Sequence, residues 1–185
     1  MNLPDGVRQA LWDAIQPVRD RELPVKWVRP DGIHLTLKFL GDVDDAQEPV
    51  LRAALARAAS GGGGEPRERG VTLQVEGFGV FPDFHRPRVV WAGVAPDPAL
   101  ELLQDGVERA FAPLGFPTEA RAFRPHVTLG RAARDARPRD FAGLEPALGA
   151  LAFAATVLVS DLDLMQSTLQ SGGAVYHVKH RERLS

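Results

Sequence analysis

The sequence predicts a mixed α+β fold in which two related halves each contribute a strand with the pattern His-x-Thr-Leu. The first copy lies within residues 33–40, where apolar and polar side chains alternate strictly. The second copy, at residues 126–129, follows 92 positions later (126 − 34), again with apolar residues between the polar ones. A period of two is typical of a strand that places one face on a core.

The elements around the two motifs also repeat in order. A strand at 88–94, a helix at 98–114 and a strand at 123–130 match a helix at 6–18 and the strand at 33–40. The first half lacks the leading strand that opens the second. We therefore interpret the chain as an internal duplication whose first unit has an open strand edge.

Two helices are predicted in the first third of the chain. In the helix at 6–18, apolar residues recur at helical spacing, Asp5 can cap its start, and Pro17 weakens its end. Asp44 or Asp45 can cap a second helix that continues to Ala58. The glycine-rich stretch 60–70 has the composition of a flexible connector.

The rest of the chain is predicted as strands separated by one long helix. Asp97 and Pro98 form an N-cap followed by proline at the first helical position, and Gly115 suits the C-terminal cap. The strands are predicted at 71–81, 88–94, 123–130, 153–165 and 175–178, with a weaker helix at 144–148.

Length and composition limit the class of protein. A chain of 185 residues suits one domain, 1–185, made of two duplicated lobes. Net charge is −2 and cysteine is absent, so neither a global attraction to nucleic acid nor thiolate chemistry is expected. No apolar run has the length of a membrane span, and the N-terminus has no signal pattern, so a cytoplasmic location is the default expectation.

The two histidines, His34 and His126, are the candidate catalytic residues. One imidazole can take a proton from a nucleophile while the other donates one to a leaving oxygen, as a reaction at phosphorus requires. Thr36 and Thr128 share the polar faces and can donate hydrogen bonds to phosphate oxygens. Two alternatives remain: ordinary strand histidines, or a zinc site, which the lack of cysteine and of suitably spaced carboxylates disfavours.

Two cations are candidates for phosphate binding. Lys38 is predicted to lie on the same strand face as His34, although it can equally be a solvated residue at the end of the strand. Arg131 follows the second motif, but strict alternation places it on the opposite face unless the backbone breaks at Gly130. The remaining histidines, His85, His177 and His180, have no repeated partner and are expected on the surface.

These motifs together resemble the bacterial RNA 2′,3′-cyclic phosphodiesterases, also called 2′-5′ RNA ligases, of the two-histidine phosphoesterase superfamily. The resemblance rests on residues 27–41, 87–94 and 125–131 and spans nearly the whole chain. It implies a bilobal fold with two pseudo-symmetric antiparallel sheets around a central groove and helices outside. Family members usually open with a short apolar strand before the Leu-Pro that is here Leu3-Pro4, and this strand is expected to be missing.

The resemblance also implies a function. It predicts metal-independent hydrolysis of 2′,3′-cyclic phosphates on RNA ends or nucleotides to a 2′-phosphate by a cytoplasmic monomer, without a cofactor. His126 would activate water, His34 would protonate the leaving 3′ oxygen, and Thr36, Thr128 and Arg131 would bind phosphate. Reverse ligation to a 2′-5′ linkage is possible by microscopic reversibility. The alternative is a non-catalytic module that binds RNA ends or nucleotides in the same groove.

Overall fold

The computed structural model describes residues 1–61, 70–170 and 173–185. Most of the predicted connector at 60–70 lies outside these ranges. The helices are α1 (Asp5–Ala14), α2 (Gln16–Arg19), α3 (Glu48–Ala59), α4 (Pro98–Phe111) and α5 (Leu144–Gly149). The strands are β1 (Val25–Trp27), β2 (Val71–Phe81), β3 (Val89–Val94), β4 (His126–Ala132), β5 (Ala154–Val159), β6 (Asp161–Gln170) and β7 (Gly173–Arg183).

A five-stranded antiparallel sheet forms the centre of the fold, with strand order β1-β4-β3-β2-β5. Along β3 the side chains of Val90, Ala92 and Val94 are buried, whereas Val89, Trp91 and Gly93 are only half-buried on the other face. This alternation is what a period of two predicts. A second, smaller sheet is the β6–β7 hairpin. A curled sheet, a small sheet and helices confirm the α+β class.

Helix α4 begins and ends where local chemistry predicts. The Asp97 side chain accepts hydrogen bonds from the backbone N–H groups of Ala99 and Leu100 at the start of α4. Gly115 has a φ of 91° after the short 3₁₀ turn that follows α4.

In contrast, α1 has Pro4 at its N-cap and Asp5 in its first turn, and α3 begins at Glu48, after a 3₁₀ turn that Asp44 caps. None of the helices in the described ranges combines the length and apolar character needed to cross a bilayer.

The first predicted helix, 6–18, is two helices rather than one. α1 ends at Ala14 and α2 begins at Gln16, with Ile15 between them at φ −86° and ψ 0°. The cause is Pro17, which has no N–H to donate to the carbonyl four residues earlier. Ile15 is nevertheless buried, so both helices still pack on the core.

No strand precedes α1, but the prediction that the edge of the first half is open is wrong. Met1 and Leu35 exchange two backbone hydrogen bonds, of 2.9 and 3.0 Å, and Asn2 forms an antiparallel bridge with His34. Asn2 therefore occupies the place that Gly93 has opposite His126 in the second half. Met1 and Leu3 are 4% and 2% exposed, so these few residues both cover the edge and bury apolar surface.

The predicted strand at 33–40 is also shorter than its alternation suggests. His34 and Leu35 form bridges, but the backbone then leaves the sheet, and Phe39 is 77% exposed instead of facing the core. The ammonium of Lys38 pairs with Glu108 of α4 and donates to the carbonyl of Pro117. Because this buried ion pair requires Lys38 to face α4, the segment does not continue the alternation of the strand.

Candidate active site

The two His-x-Thr segments lie side by side. Leu35 and Val127 form an antiparallel bridge, and both side chains are 0% exposed. Since side chains alternate between the faces of a strand, the residues on either side of this pair point away from the core. If the antiparallel register is continued by one residue on either side of this bridge, His34 falls opposite Thr128 and Thr36 falls opposite His126.

This register places four candidate side chains on one face. Directly opposite residues have Cβ atoms about 5 Å apart, and diagonal neighbours are about 7–8 Å apart. His34 and His126 are diagonal neighbours across the bridge, with the two threonines on the other diagonal. A group the size of a phosphate can therefore lie between the two imidazoles while accepting hydrogen bonds from the hydroxyl groups.

The two imidazole rings are oriented by the same hydrogen bond. Nδ1 of His34 lies 2.8 Å from the carbonyl oxygen of Gly32, and Nδ1 of His126 lies 2.8 Å from that of Arg124. A carbonyl oxygen only accepts, so Nδ1 must carry the hydrogen in both rings. In the neutral state each Nε2 is then left as a proton acceptor, and in the charged state as a donor.

An aromatic ring supports each imidazole. Tyr176 of β7 meets the ring of His34 edge to face, with centroids 4.7 Å apart at 67°. Phe81 of β2 meets the ring of His126 in the same way, at 4.9 Å and 86°. These edge-on contacts restrict rotation of both imidazoles about χ2. The sequence pattern identified neither aromatic residue as part of the site.

The surroundings of the two histidines differ at the residue two positions earlier. In the first half this residue is Gly32, and a Cβ added there would lie 3.2 Å from the Tyr176 ring. The absence of a side chain thus lets Tyr176 approach His34. In the second half the residue is Arg124, whose side chain is exposed. Both histidines are half-buried, but the hydrogen bond of Nδ1 is part-buried at His34 and exposed at His126.

Burial lowers the pKa of His34 below its usual value of 6.5. The hydrogen bond to the Gly32 carbonyl and the negative charge of Asp163 raise this pKa, while the positive charges of the Met1 amino group and Arg131 lower it further. The Asp163 side chain is itself buried, bound by the backbone and side-chain nitrogens of Asn2 and by Arg181. The net effect favours the neutral His34 ring.

Arg131 reaches the face of the histidines because of a β-bulge. Val90 pairs with Gly130 but Trp91 pairs with Thr128, so β4 has one extra residue, Leu129, at this point. The bulge reverses the parity of the residues that follow, which places the exposed Arg131 on the same face as Thr128. The condition that the sequence required, a break in alternation near Gly130, is present.

Gly130, next to the bulge, packs closely against β1. A Cβ added to it would lie 2.6 Å from Cγ1 of Val25 and 2.8 Å from the Trp27 ring, so no larger residue fits without displacement of β1. The structure thus brings Arg131 together with His34, His126 and the two threonines.

Lys38 is in a different environment from these residues. Its side chain is 4% exposed, and its ammonium is paired with the buried carboxylate of Glu108. Glu108 also accepts hydrogen bonds from Gln104 and the backbone of Glu119. This network favours a structural role for Lys38, joining the loop after the first motif to α4.

Of the three remaining histidines, His85 and His177 are exposed as expected. His180 is half-buried, and its Nε2 lies 2.7 Å from Glu182. Within the described ranges, no three His, Asp or Glu side chains are close enough to hold one metal ion.

Comparison with known proteins identifies the family of this chain. A family model described as the 2'-5' RNA ligase superfamily matches residues 7–170. A Methanothermobacter thermautotrophicus protein named RNA 2',3'-cyclic phosphodiesterase is 32% identical over 95% of this chain and 91% of that protein. An Aeropyrum pernix protein of the same name is 35% identical over 83% of both chains.

Solved structures have the same architecture. TT0787 of Thermus thermophilus superposes with a TM-score of 0.76 at 28% identity, covering 99% of this chain and 94% of that one. Escherichia coli LigT complexed with 3'-AMP superposes with a TM-score of 0.69 at 26% identity, covering 100% and 95%.

Proposed function

The chain belongs to the 2'-5' RNA ligase superfamily, and we propose that it hydrolyses 2′,3′-cyclic phosphates on RNA ends or nucleotides. The observation that carries this proposal is the Leu35–Val127 bridge. Its antiparallel register supports a site in which two similarly oriented imidazoles and two hydroxyl groups face the same side of the paired segments. The names of the relatives support the same chemistry.

The reaction needs one base and one acid on opposite sides of phosphorus. Nε2 of His126 takes a proton from water as the water oxygen bonds to phosphorus. The bond from phosphorus to the 3′ oxygen breaks, and Nε2 of His34 gives its proton to that oxygen. The reactive form is therefore the fraction in which His34 is protonated, although its surroundings favour the neutral ring. The product carries a 2′-phosphate, and each imidazole contributes about 10²–10⁴-fold.

The hydroxyl groups of Thr36 and Thr128 donate to the non-bridging phosphate oxygens, and Arg131 offsets the charge that builds up on them. The two imidazoles supply both proton transfers, so the proposed reaction uses no metal ion or cofactor. With an RNA 5′-hydroxyl in place of water as the nucleophile, the same steps form a 2′-5′ linkage instead of a 2′-phosphate. Both motifs belong to one chain, so we expect an active monomer, which light scattering at assay concentration can check.

The test is incubation with a 2′,3′-cyclic nucleotide in EDTA, with the product identified by ³¹P NMR. The proposal expects a 2′-phosphomonoester at a rate unaffected by chelation, and its loss in His126→Ala. Activity restored only by an added divalent ion would favour the zinc site instead. Tight binding without turnover would favour the alternative, a module that binds RNA ends, and a 3′-phosphate product would mean that the substrate lies the other way round.

A further inference from the structure

Arg124 stands beside His126 with its charge uncompensated. Its guanidinium carbon lies 4.9 Å from the centroid of the Phe81 ring, the same ring that supports His126. Phe81 in turn packs on Trp91, with centroids 5.2 Å apart at 38°. In the part of the chain that the structure describes, Arg124 forms no ion pair with a carboxylate.

The stack on Phe81 holds this guanidinium in a defined place. A cation over an aromatic face is attracted to the ring, and the planar guanidinium keeps its N–H groups free at its edges. The backbone carbonyl of Arg124 already holds Nδ1 of His126. One residue therefore orients an imidazole through its main chain and presents a fixed positive charge through its side chain.

The side of the site next to Tyr176 carries more acidic than basic residues. Beyond Tyr176 lies a cleft of about 510 Å³ between the N-terminal segment and the β6–β7 hairpin. Four carboxylates and two guanidinium groups line it: Asp5, Asp31, Asp161, Asp163, Arg8 and Arg181. A chain of phosphates is repelled there and attracted to the side of His126.

We propose that Arg124 binds the phosphodiester immediately upstream of the cyclic phosphate, so that the RNA chain leaves the site on the side of His126. This inference rests on the proposed function. A free 2′,3′-cyclic nucleoside phosphate with a 5′-hydroxyl has no such phosphodiester, whereas every RNA end has one. Arg124 is thus a specificity-determining residue that favours RNA ends over mononucleotides, acting through a charge-assisted hydrogen bond.

The test compares a dinucleotide ending in a 2′,3′-cyclic phosphate with the matching cyclic mononucleotide. In Arg124→Gln the ratio of kcat/KM, dinucleotide over mononucleotide, should fall about tenfold or more at low salt, as expected for one lost hydrogen bond to a charged group. The dependence of log kcat/KM for the dinucleotide on log salt should become less steep by about 0.7. The main-chain carbonyl remains, so the Nδ1–H tautomer of His126, observed by ¹⁵N NMR, should not change.

Two further variants make the result specific. Arg109→Gln removes an exposed arginine of α4 that pairs with Asp105, and it should leave the ratio as it is. Phe81→Leu removes the ring on which Arg124 stacks, so it should lower the dinucleotide-to-mononucleotide ratio of kcat/KM. Adding Arg124→Gln to Phe81→Leu should then lower this ratio by less than Arg124→Gln does in the wild-type chain. An equal loss for both substrates in Arg124→Gln, or no loss for either, overturns the proposal.

Binding gives the same answer without turnover. Calorimetry with a dinucleotide ending in a 2′-phosphate, set against the 2′-mononucleotide, should show the affinity gap shrinking about tenfold in Arg124→Gln. If wild type binds both ligands equally, the inference fails even where hydrolysis is established. If wild type hydrolyses neither cyclic substrate but the binding gap is present and depends on Arg124, the proposed function fails and this subsite stands.

Discussion

Leu35 and Val127 lie opposite each other in a single antiparallel bridge, and both are completely buried. The bridge joins two segments that are far apart in sequence, and the flanking side chains are the two histidines and two threonines of the site. The apolar pair thus sets the spacing of the polar residues, because each strand has only two faces.

The two histidines should respond differently to a better leaving group. Alanine at either position should lower kcat on a cyclic nucleotide by about 10²–10⁴-fold. In a nucleoside 2′-(nitrophenyl phosphate), nitrophenol replaces the 3′ oxygen as the leaving group and needs little protonation. His34→Ala should therefore retain more of the cleavage of this analogue than His126→Ala. Release of nitrophenol measures this. The opposite order of the two variants would exchange the roles of acid and base.

Removing the ring of Tyr176 should raise the pKa of His34. Burial is the main cause of its lowered pKa, so Tyr176→Ala should move that pKa back towards 6.5, whereas Tyr176→Phe should not. Titration of the imidazole signals by NMR measures this directly. The limb of the kcat/KM profile that reports the ionisation of His34 should move to higher pH in Tyr176→Ala.

The same pKa predicts how stability depends on pH. The folded chain favours neutral His34, so this contribution is complete above the unfolded pKa near 6.5 and is lost as pH falls through the lower, folded pKa. Between pH 8 and pH 5, the free energy of unfolding measured with urea should therefore fall less for His34→Gln than for wild type. An equal loss would mean that His34 does not contribute to the acid sensitivity of the fold.

The Lys38–Glu108 pair should be important for stability. Lys38→Met leaves the Glu108 carboxylate buried without its cation, at a cost of about 3–5 kcal/mol in the free energy of unfolding. The double variant Lys38→Met, Glu108→Leu should recover most of this loss. Arg109→Met, which breaks an exposed pair on the same helix, should cost at most about 1 kcal/mol. Urea unfolding of the three variants separates the buried pair from the surface one.

Gly130 should not accept a side chain. A methyl group there meets Val25 and Trp27, so Gly130→Ala should lower the free energy of unfolding by about 1–3 kcal/mol. The control is Gly6→Ala in α1, where a Cβ has no atom within 4 Å, and it should stabilise by about 0.5–1 kcal/mol. If Gly130→Ala were as stable as wild type, β1 would have to move freely away from β4.

The sequence by itself determined the elements whose causes are local. Caps at Asp97 and Gly115 and the alternation along β2 and β3 follow from residues close together in the chain, and they appear as predicted. The helix break at Ile15 is equally local, since Pro17 lacks a donor, but helical periodicity alone hid it.

Tertiary structure decided which residues meet. The alternation along its segment places Phe39 on the core face, yet Phe39 is exposed, because the segment leaves the sheet where Lys38 pairs with the buried Glu108. The same alternation places Arg131 on the face opposite the histidines, yet a bulge in β4 brings it to the face of His34. Tyr176 and Phe81 reach the histidines from strands far away in the chain. These contacts depend on packing between distant segments, which no pattern within one segment records.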